Sequence, residues 1–90
     1  MTRIFKYKLE MVTKQTISMP VDAVVLCAQM QCSELYIWAI VDENESCIDW
    51  EFLIFGTGDE FNFNNMRYIG TVQQGIYVWH IFNLLKTNSP

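Results

Sequence analysis

Apolar and polar residues alternate along several short segments of this chain, and this period of two constrains the fold more than any other feature. In residues 3–12 every second side chain is apolar, from Phe5 to Met11, with charged residues between them. Residues 47–56 repeat the pattern. Successive side chains of a β-strand point to opposite faces, so this alternation predicts half-buried strands. No segment has a long helical stripe of apolar residues, which favours a mainly β chain.

Turn signals between these segments suggest how the strands follow one another. The pair "CS" at residues 32–33 and the pair "QG" at residues 74–75 each separate two strand-like runs. Pro20 ends a short extended piece, "TISMP". We therefore predict a single domain over residues 1–90, a small antiparallel β-sandwich or open barrel of about five to six strands in meander order. At most one short helix is expected, near residues 59–67.

The segment "LYIWAIV", residues 35–41, is apolar on both faces of its predicted strand. Such a strand is either covered on both sides or has one face that meets a partner. The chain also holds six phenylalanines, four tyrosines and three tryptophans, an excess for one side of a small sheet. Tyrosine and tryptophan at a surface are favoured anchors for protein contacts. A two-layer fold that hides these rings is the alternative, and a homodimer would satisfy both.

Charge and cysteine content argue against several classes of protein. The net charge is -4 and the basic residues are scattered, which disfavours direct nucleic-acid binding. The first ten residues lack the apolar core of a signal peptide, and no apolar run is long enough to cross a bilayer. Three cysteines without a CxxC spacing fit reduced thiols better than disulfides. We expect a cytoplasmic protein without membrane association, cofactor or metal.

Two motifs in residues 54–82 resemble parts of catalytic sites. "GTGD", residues 56–59, has the glycines of a phosphate loop, but acids flank it and no lysine follows. A turn explains it better. His80 lies among apolar residues in "YVWHIF", which favours a structural role over that of a general base. No serine or cysteine stands at a recognisable spacing from it, so nucleophilic catalysis is unsupported.

A cluster of acids, Asp42, Glu43, Glu45, Asp49 and Glu51, surrounds one predicted hairpin end. Its spacing does not match a calcium loop. A solvated rim that discourages edge-to-edge sheet pairing is the simplest interpretation. The second interpretation is that this rim contacts a basic surface of a partner.

The segments "TISMPVDAVVLCAQMQ", "LYIWAIVD", "FLIFGTG" and "YIGTVQ…YVWHIF" together resemble a family of small bacteriophage-encoded proteins, over about residues 4–82. The resemblance implies a phage origin and no established activity. This chain departs from the pattern at two places, with Asp59 where relatives often carry histidine and Cys32-Ser33 where they use glycine or asparagine. The first departure argues against a two-histidine site. The shared positions are Met19, Pro20, Trp38, Gly56, Thr57, Gly58, Tyr68, Gly70, Thr71, Gln73, Trp79 and His80.

These observations favour a non-enzymatic binding protein that acts inside a bacterial host by contact with a host or defence protein, as an anti-CRISPR inhibitor does. A binder of a nucleotide signal, with a pocket of Trp79, His80 and Tyr68, is the alternative. A hydrolase that uses His80 with Asp59 or Glu60 is the third. The residues expected to carry binding are Trp38, Asp42, Glu43, Glu45, Asp49, Tyr68, Trp79 and His80.

Overall fold

A computed structural model describes residues 1–85, which form seven β-strands and no helix. The predicted fold class, a small antiparallel β-sandwich, is confirmed. The piece "TISMP" belongs to a full strand, which brings the count to seven. The strands are β1 (Thr2–Leu9), β2 (Lys14–Pro20), β3 (Val24–Gln31), β4 (Glu34–Asp42), β5 (Cys47–Gly56), β6 (Met66–Gln74) and β7 (Tyr77–Leu84).

The strands form two antiparallel sheets, a small sheet in the order β1-β4-β3 and a large sheet in the order β2-β5-β7-β6. The predicted meander order is wrong, because β1 pairs with β4 while β2 pairs with β5. Consecutive strands remain neighbours only in the hairpins β3–β4 and β6–β7. The alternating pattern marks which faces are apolar but carries no information about which strand lies alongside.

The core lies between the sheets and receives side chains from every strand. The inner face of β4 presents Leu35, Ile37, Ala39 and Val41, all at most 1% exposed. Phe52 from β5 is fully buried opposite them in the other sheet. Packing of the two sheets therefore buries one face of each strand. The two outer faces of the sandwich remain as the surfaces on which a binding site could lie.

Two tight turns fix the hairpins by different means. In the β6–β7 turn, Gly75 has a φ of 60°, whereas the φ of Ile76 is not positive. A positive φ at the first central residue alone is the pattern of a type II′ turn. In the β3–β4 turn, Cys32 and Ser33 have φ values of 51° and 66°, the pattern of a type I′ turn. Glycine and asparagine usually occupy such positions, because a side chain with a Cβ is strained there.

The segment "GTGD" forms a turn, and the irregular stretch after it contains no helix before β6 begins at Met66. The amide of Asp59 donates to the carbonyl of Gly56 at 3.1 Å, and Gly58 at the third position has a φ of 96°. This is a type II turn, in which glycine accepts the positive φ. The turn prediction is confirmed, and the chain does not form the helix N-terminus that a phosphate loop needs.

The two sheets come close where β3 crosses β6. A Cβ placed on Gly70 would lie 3.4 Å from the backbone nitrogen of Ala28, so glycine allows the two backbones to meet almost directly. Each of these strands also carries a β-bulge, between Val25 and Cys27 and between Tyr68 and Gly70. A bulge bends its strand and strengthens the local twist. Residues 1–85 include no helix of the length and apolarity needed to cross a membrane.

Candidate functional site

The outer face of the small sheet is apolar and uncovered. Tyr36, Trp38 and Ile40 alternate with the buried residues of β4, so they point outward, and all three are only half-buried. The neighbouring strands extend this surface with exposed aliphatic side chains. We call this surface the open face and define it by Ile4, Val24, Leu26, Tyr36, Trp38 and Ile40.

The rings on the open face are held in place from one side. Tyr36 and Trp38 lie with their ring centroids 6.1 Å apart at 56°. The ammonium group of Lys6 lies 4.4 Å from the Tyr36 centroid and donates to Oε1 of Gln31 at 2.9 Å. Such an arrangement reduces the conformational freedom that the rings would lose on binding. The aromatic pair is therefore partly pre-organised for contact.

Acidic residues lie at one end of the open face. Asp42 continues the outward register of β4, and its Oδ1 accepts the amide of Asn44 at 3.0 Å. Glu43 pairs with Nε of Arg3 at 2.7 Å. Glu45 follows in the same turn and forms no ion pair with residues 1–85. Part of the acidic cluster is thus structural, and the rest is available to a partner.

The opposite end of the open face carries the ion pair of Lys8 with Glu34, at 2.8 Å. The hydrogen bond and the charge of Glu34 raise the pKa of Lys8. Both side chains are exposed, so the pair contributes little to stability. The open face therefore lies between a neutralised pair at one end and a net acidic turn at the other.

The structure separates the sequence-predicted binding residues into distinct regions. Trp38, Asp42, Glu43 and Glu45 come together at the open face and its acidic end. Asp49 does not join them, because it lies exposed on β5 in the large sheet, opposite Ser18.

Tyr68 and His80 lie on the outer face of the large sheet, within a chain of hydrogen bonds. Nε2 of His80 is 2.8 Å from the hydroxyl of Thr57, and Nδ1 is 3.0 Å from that of Thr71. The Thr71 hydroxyl is in turn 2.5 Å from the hydroxyl of Tyr68. Because each hydroxyl can donate or accept, both ring nitrogens of His80 are satisfied in either tautomer.

The hydrogen bonds of His80 go to Thr57 and Thr71 and do not join it to Asp59, one of the two acids that the hydrolase hypothesis pairs with it. Oδ2 of Asp59 accepts the amide of Gly56 at 2.7 Å instead of orienting His80. Thr57 is the hydroxyl nearest to Nε2, but its amide donates to the carbonyl of Val78. The amide of Asp59 is also committed, to Gly56. The amides of Gly56, Thr57 and Asp59 already donate within the fold, so these three are not free to bind a developing oxyanion.

Trp79 points the opposite way from His80, towards the inner side of the large sheet. Its Nε1 donates to Oε1 of Gln74 at 3.2 Å, and its ring lies over Gly56. Trp79 therefore does not share a pocket with His80 and Tyr68, as a nucleotide site built from these three would require.

Sequence reasoning missed the residues that cover the outer face of the large sheet. Phe61 stacks on Phe55 with centroids 4.0 Å apart and 6° between the planes. Phe61, Phe63 and Tyr68 all lie against Phe82, which is only 8% exposed. We call this surface the covered face. The available signal was the pair Phe61 and Phe63, two residues apart in an otherwise polar stretch.

Metal binding has no assembled site among the described residues, since no three of their histidine, cysteine, aspartate and glutamate side chains could together hold an ion. Cys27 is half-buried on β3, while Cys32 and Cys47 are exposed, and all three are free thiols.

The fold and the two outer faces define a class: a two-sheet antiparallel β-sandwich that covers the Phe82 region of one outer face with its own chain and leaves the other outer face open. The chain belongs to the DUF7352 family, a domain of unknown function, whose sequence model matches residues 1–90. Neither the comparison with curated proteins nor the comparison with solved structures found a match.

Proposed function

We propose that this protein is a non-enzymatic binding protein whose open face docks on another protein. The observation that carries the proposal is the uncovered apolar surface around Trp38, with Ile4 at 61% and Val24 at 45% exposed. Apolar patches of this kind on small proteins commonly mark interaction sites. An aromatic pair at the centre with charges at the rim is the usual arrangement of a protein interface.

The area of the open face indicates how large the contact with the partner must be. Strands of about eight residues at ~3.3 Å per residue, in a sheet about 14 Å wide, give roughly 350 Å². A standard interface buries about 800 Å² on each side. The contact must therefore extend beyond the open face onto the adjoining acidic turn. Glu45 is the acid there without an ion pair within residues 1–85, since Asp42 lies 3.7 Å from the N-terminal ammonium and Glu43 pairs with Arg3. The partner should present an apolar centre with a basic edge.

A narrower form of the proposal names the partner as a host or bacterial immune protein that this chain inhibits. It carries with it the phage origin and the host-cytoplasmic location expected from the resemblance above. The supporting argument is electrostatic: an acidic turn beside an apolar anchor suits a basic surface that otherwise receives nucleic acid. In that case, duplex DNA or RNA should compete with this protein for the partner, and competition should weaken as salt rises.

Substitution of Trp38 by serine tests the proposal in a capture experiment from bacterial lysate. The wild-type protein first captures a partner, which is purified, and its affinity for each variant is then measured. We expect the affinity for Trp38→Ser to be at least about tenfold lower than for the wild type, because Trp38 acts as a hot-spot residue. Phe63→Ser is the matched control, because Phe63 is an aromatic residue that is 69% exposed but belongs to the covered face. Circular dichroism checks that both variants fold. Equal capture by both variants would contradict the proposal.

A homodimer through the same surface is the competing hypothesis, since two copies of the open face could pack their apolar centres together about a two-fold axis. Light scattering decides between them. A dimer that Trp38→Ser converts to monomers would assign the open face to a second copy, and the foreign-partner proposal would then lose its surface.

A further inference from the structure

The end of the large sheet contains a second set of surface features, away from the open face. Three neighbouring clefts share Asp59. The first, of about 390 Å³, is lined by Gly56, Thr57, Asp59, Ile76, Tyr77, Val78 and Trp79. The second, of about 170 Å³, lies between the β1–β2 connection and Trp79. The third adds Glu60 beside Asp59.

Trp79 and Asp59 are brought together by Gly56. A Cβ built on Gly56 would lie 3.3 Å from Cζ3 of Trp79 and 3.4 Å from Oδ2 of Asp59. The indole ring and the carboxylate therefore flank the same glycine, and a larger residue there would displace one of them. Tyr77 stacks beside Trp79, with centroids 5.8 Å apart at 24°. The side chains of Tyr77, Trp79 and Asp59 thus line one open cleft.

The charges at these clefts all have one sign. Asp59 and Glu60 are the ionisable acids that line them, and no lysine, arginine or histidine does. Neither acid forms an ion pair within residues 1–85. Phosphate and carboxylate ligands are therefore disfavoured. A cationic ligand is favoured, because the carboxylate attracts it and so do the electron-rich faces of the aromatic rings.

We infer that the cleft between Asp59, Tyr77 and Trp79 binds a guanidinium group. A guanidinium is planar and stacks on an indole, and its N–H donors suit a carboxylate edge-on. Oδ2 of Asp59 already accepts the Gly56 amide, which holds the carboxylate in position, and Oδ1 accepts no hydrogen bond from residues 1–85. The group comes either from a free small guanidinium compound or from an arginine side chain. This site does not depend on the open face.

Nuclear magnetic resonance titration with capped arginine, N-acetylarginine methylamide, tests the inference. The indole N–H signal of Trp79, assigned by its loss in Trp79→Phe, should shift in a saturable way. The citrulline analogue, which has nearly the same shape without the charge, should leave it unmoved. A parallel titration uses methylguanidinium. If methylguanidinium binds as tightly as capped arginine, the site is assigned to a free small guanidinium compound; if capped arginine binds more tightly, the site is assigned to an arginine side chain.

Asp59→Asn is the decisive variant, because asparagine keeps an oxygen for the Gly56 amide and loses only the charge. We expect affinity for capped arginine to fall at least about fivefold. Asp22→Asn is the matched control; Asp22 is exposed in the β2–β3 turn, near the other end of β5, and should bind as the wild type does. Equal shifts by the citrulline analogue, unchanged affinity in Asp59→Asn, or no shift by any probe would each overturn the inference.

Discussion

The two outer faces of this sandwich carry comparable aromatic residues and differ in what covers them. On the large sheet, Phe82 is 8% exposed because Phe61 and Phe63 from the irregular segment fold over it. On the small sheet, Trp38 and its neighbours have no such cover among the described residues. A face that the chain covers itself contributes to stability, whereas a face left open is available for binding. We therefore expect residues under the cover, such as Phe82, to stabilise the fold, and residues of the open face, such as Trp38, to contact a partner.

Truncation of Phe82 should have the largest effect on stability and tests the comparison directly. Phe82→Ala removes contacts with four aromatic rings and should lower the free energy of unfolding by about 3–5 kcal/mol. Trp38→Ala at the open face should cost markedly less, although the side chain is larger. Urea denaturation of both variants measures the difference. If Trp38→Ala cost as much as Phe82→Ala, the open face would be part of the core.

Removal of the cover itself should have an intermediate effect. Phe61→Ala eliminates the stacked pair with Phe55 and should cost about 1–2 kcal/mol, with increased binding of a hydrophobic dye to the newly exposed face. Phe63→Ala is the matched control, because Phe63 is 69% exposed and touches Phe82 edge-on. It should cost less and change dye binding little. Equal losses would mean that the stacking of Phe61 has no special role.

The two hairpin turns should respond in opposite directions. Replacement of Cys32-Ser33 by Asn-Gly should stabilise the protein by about 1 kcal/mol, because these residues adopt positive φ without strain. Gly75→Ala in the large sheet should destabilise it by about 1 kcal/mol, since alanine is strained at φ 60°. Melting temperatures of the two variants give both signs. A lower melting temperature for the Asn-Gly variant would contradict the type I′ assignment.

The smallest effect concerns pH and the inner side of the small sheet. Burial, and to a lesser degree the nearby charge of Cys47, raises the pKa of Tyr7 above 10.0. The folded state thus favours the neutral phenol of Tyr7. The contribution of Tyr7 to stability is therefore complete below pH 10, the pKa in the unfolded chain, and is lost as pH rises through the higher pKa of the folded state. Tyr7→Phe should show a shallower alkaline loss of stability than the wild type. Identical pH profiles would contradict this.

Most of the strands, but little of the candidate site, could be predicted from the sequence. The period of two, which is local, places Trp38 and Leu35 on opposite faces of β4. It does not say which face is inward, because this segment is apolar on both faces. The turn at "GTGD" also follows, because the flanking acids and the missing lysine disfavour a phosphate loop, while glycine suits a turn. The cover by Phe61 and the network of Thr57 with His80 could not be predicted, since both join residues far apart in the chain.

By itself, the sequence determined where most strands lie, which residues share a face of each strand, and where the tight turns fall, because these depend on neighbours along the chain. The tertiary structure decided that β1 and β2 belong to different sheets, that Asp49 lies apart from Asp42, and that only one outer face is covered. These outcomes depend on long-range packing, where each strand has several partners of similar apolar character and only the assembled sandwich selects among them.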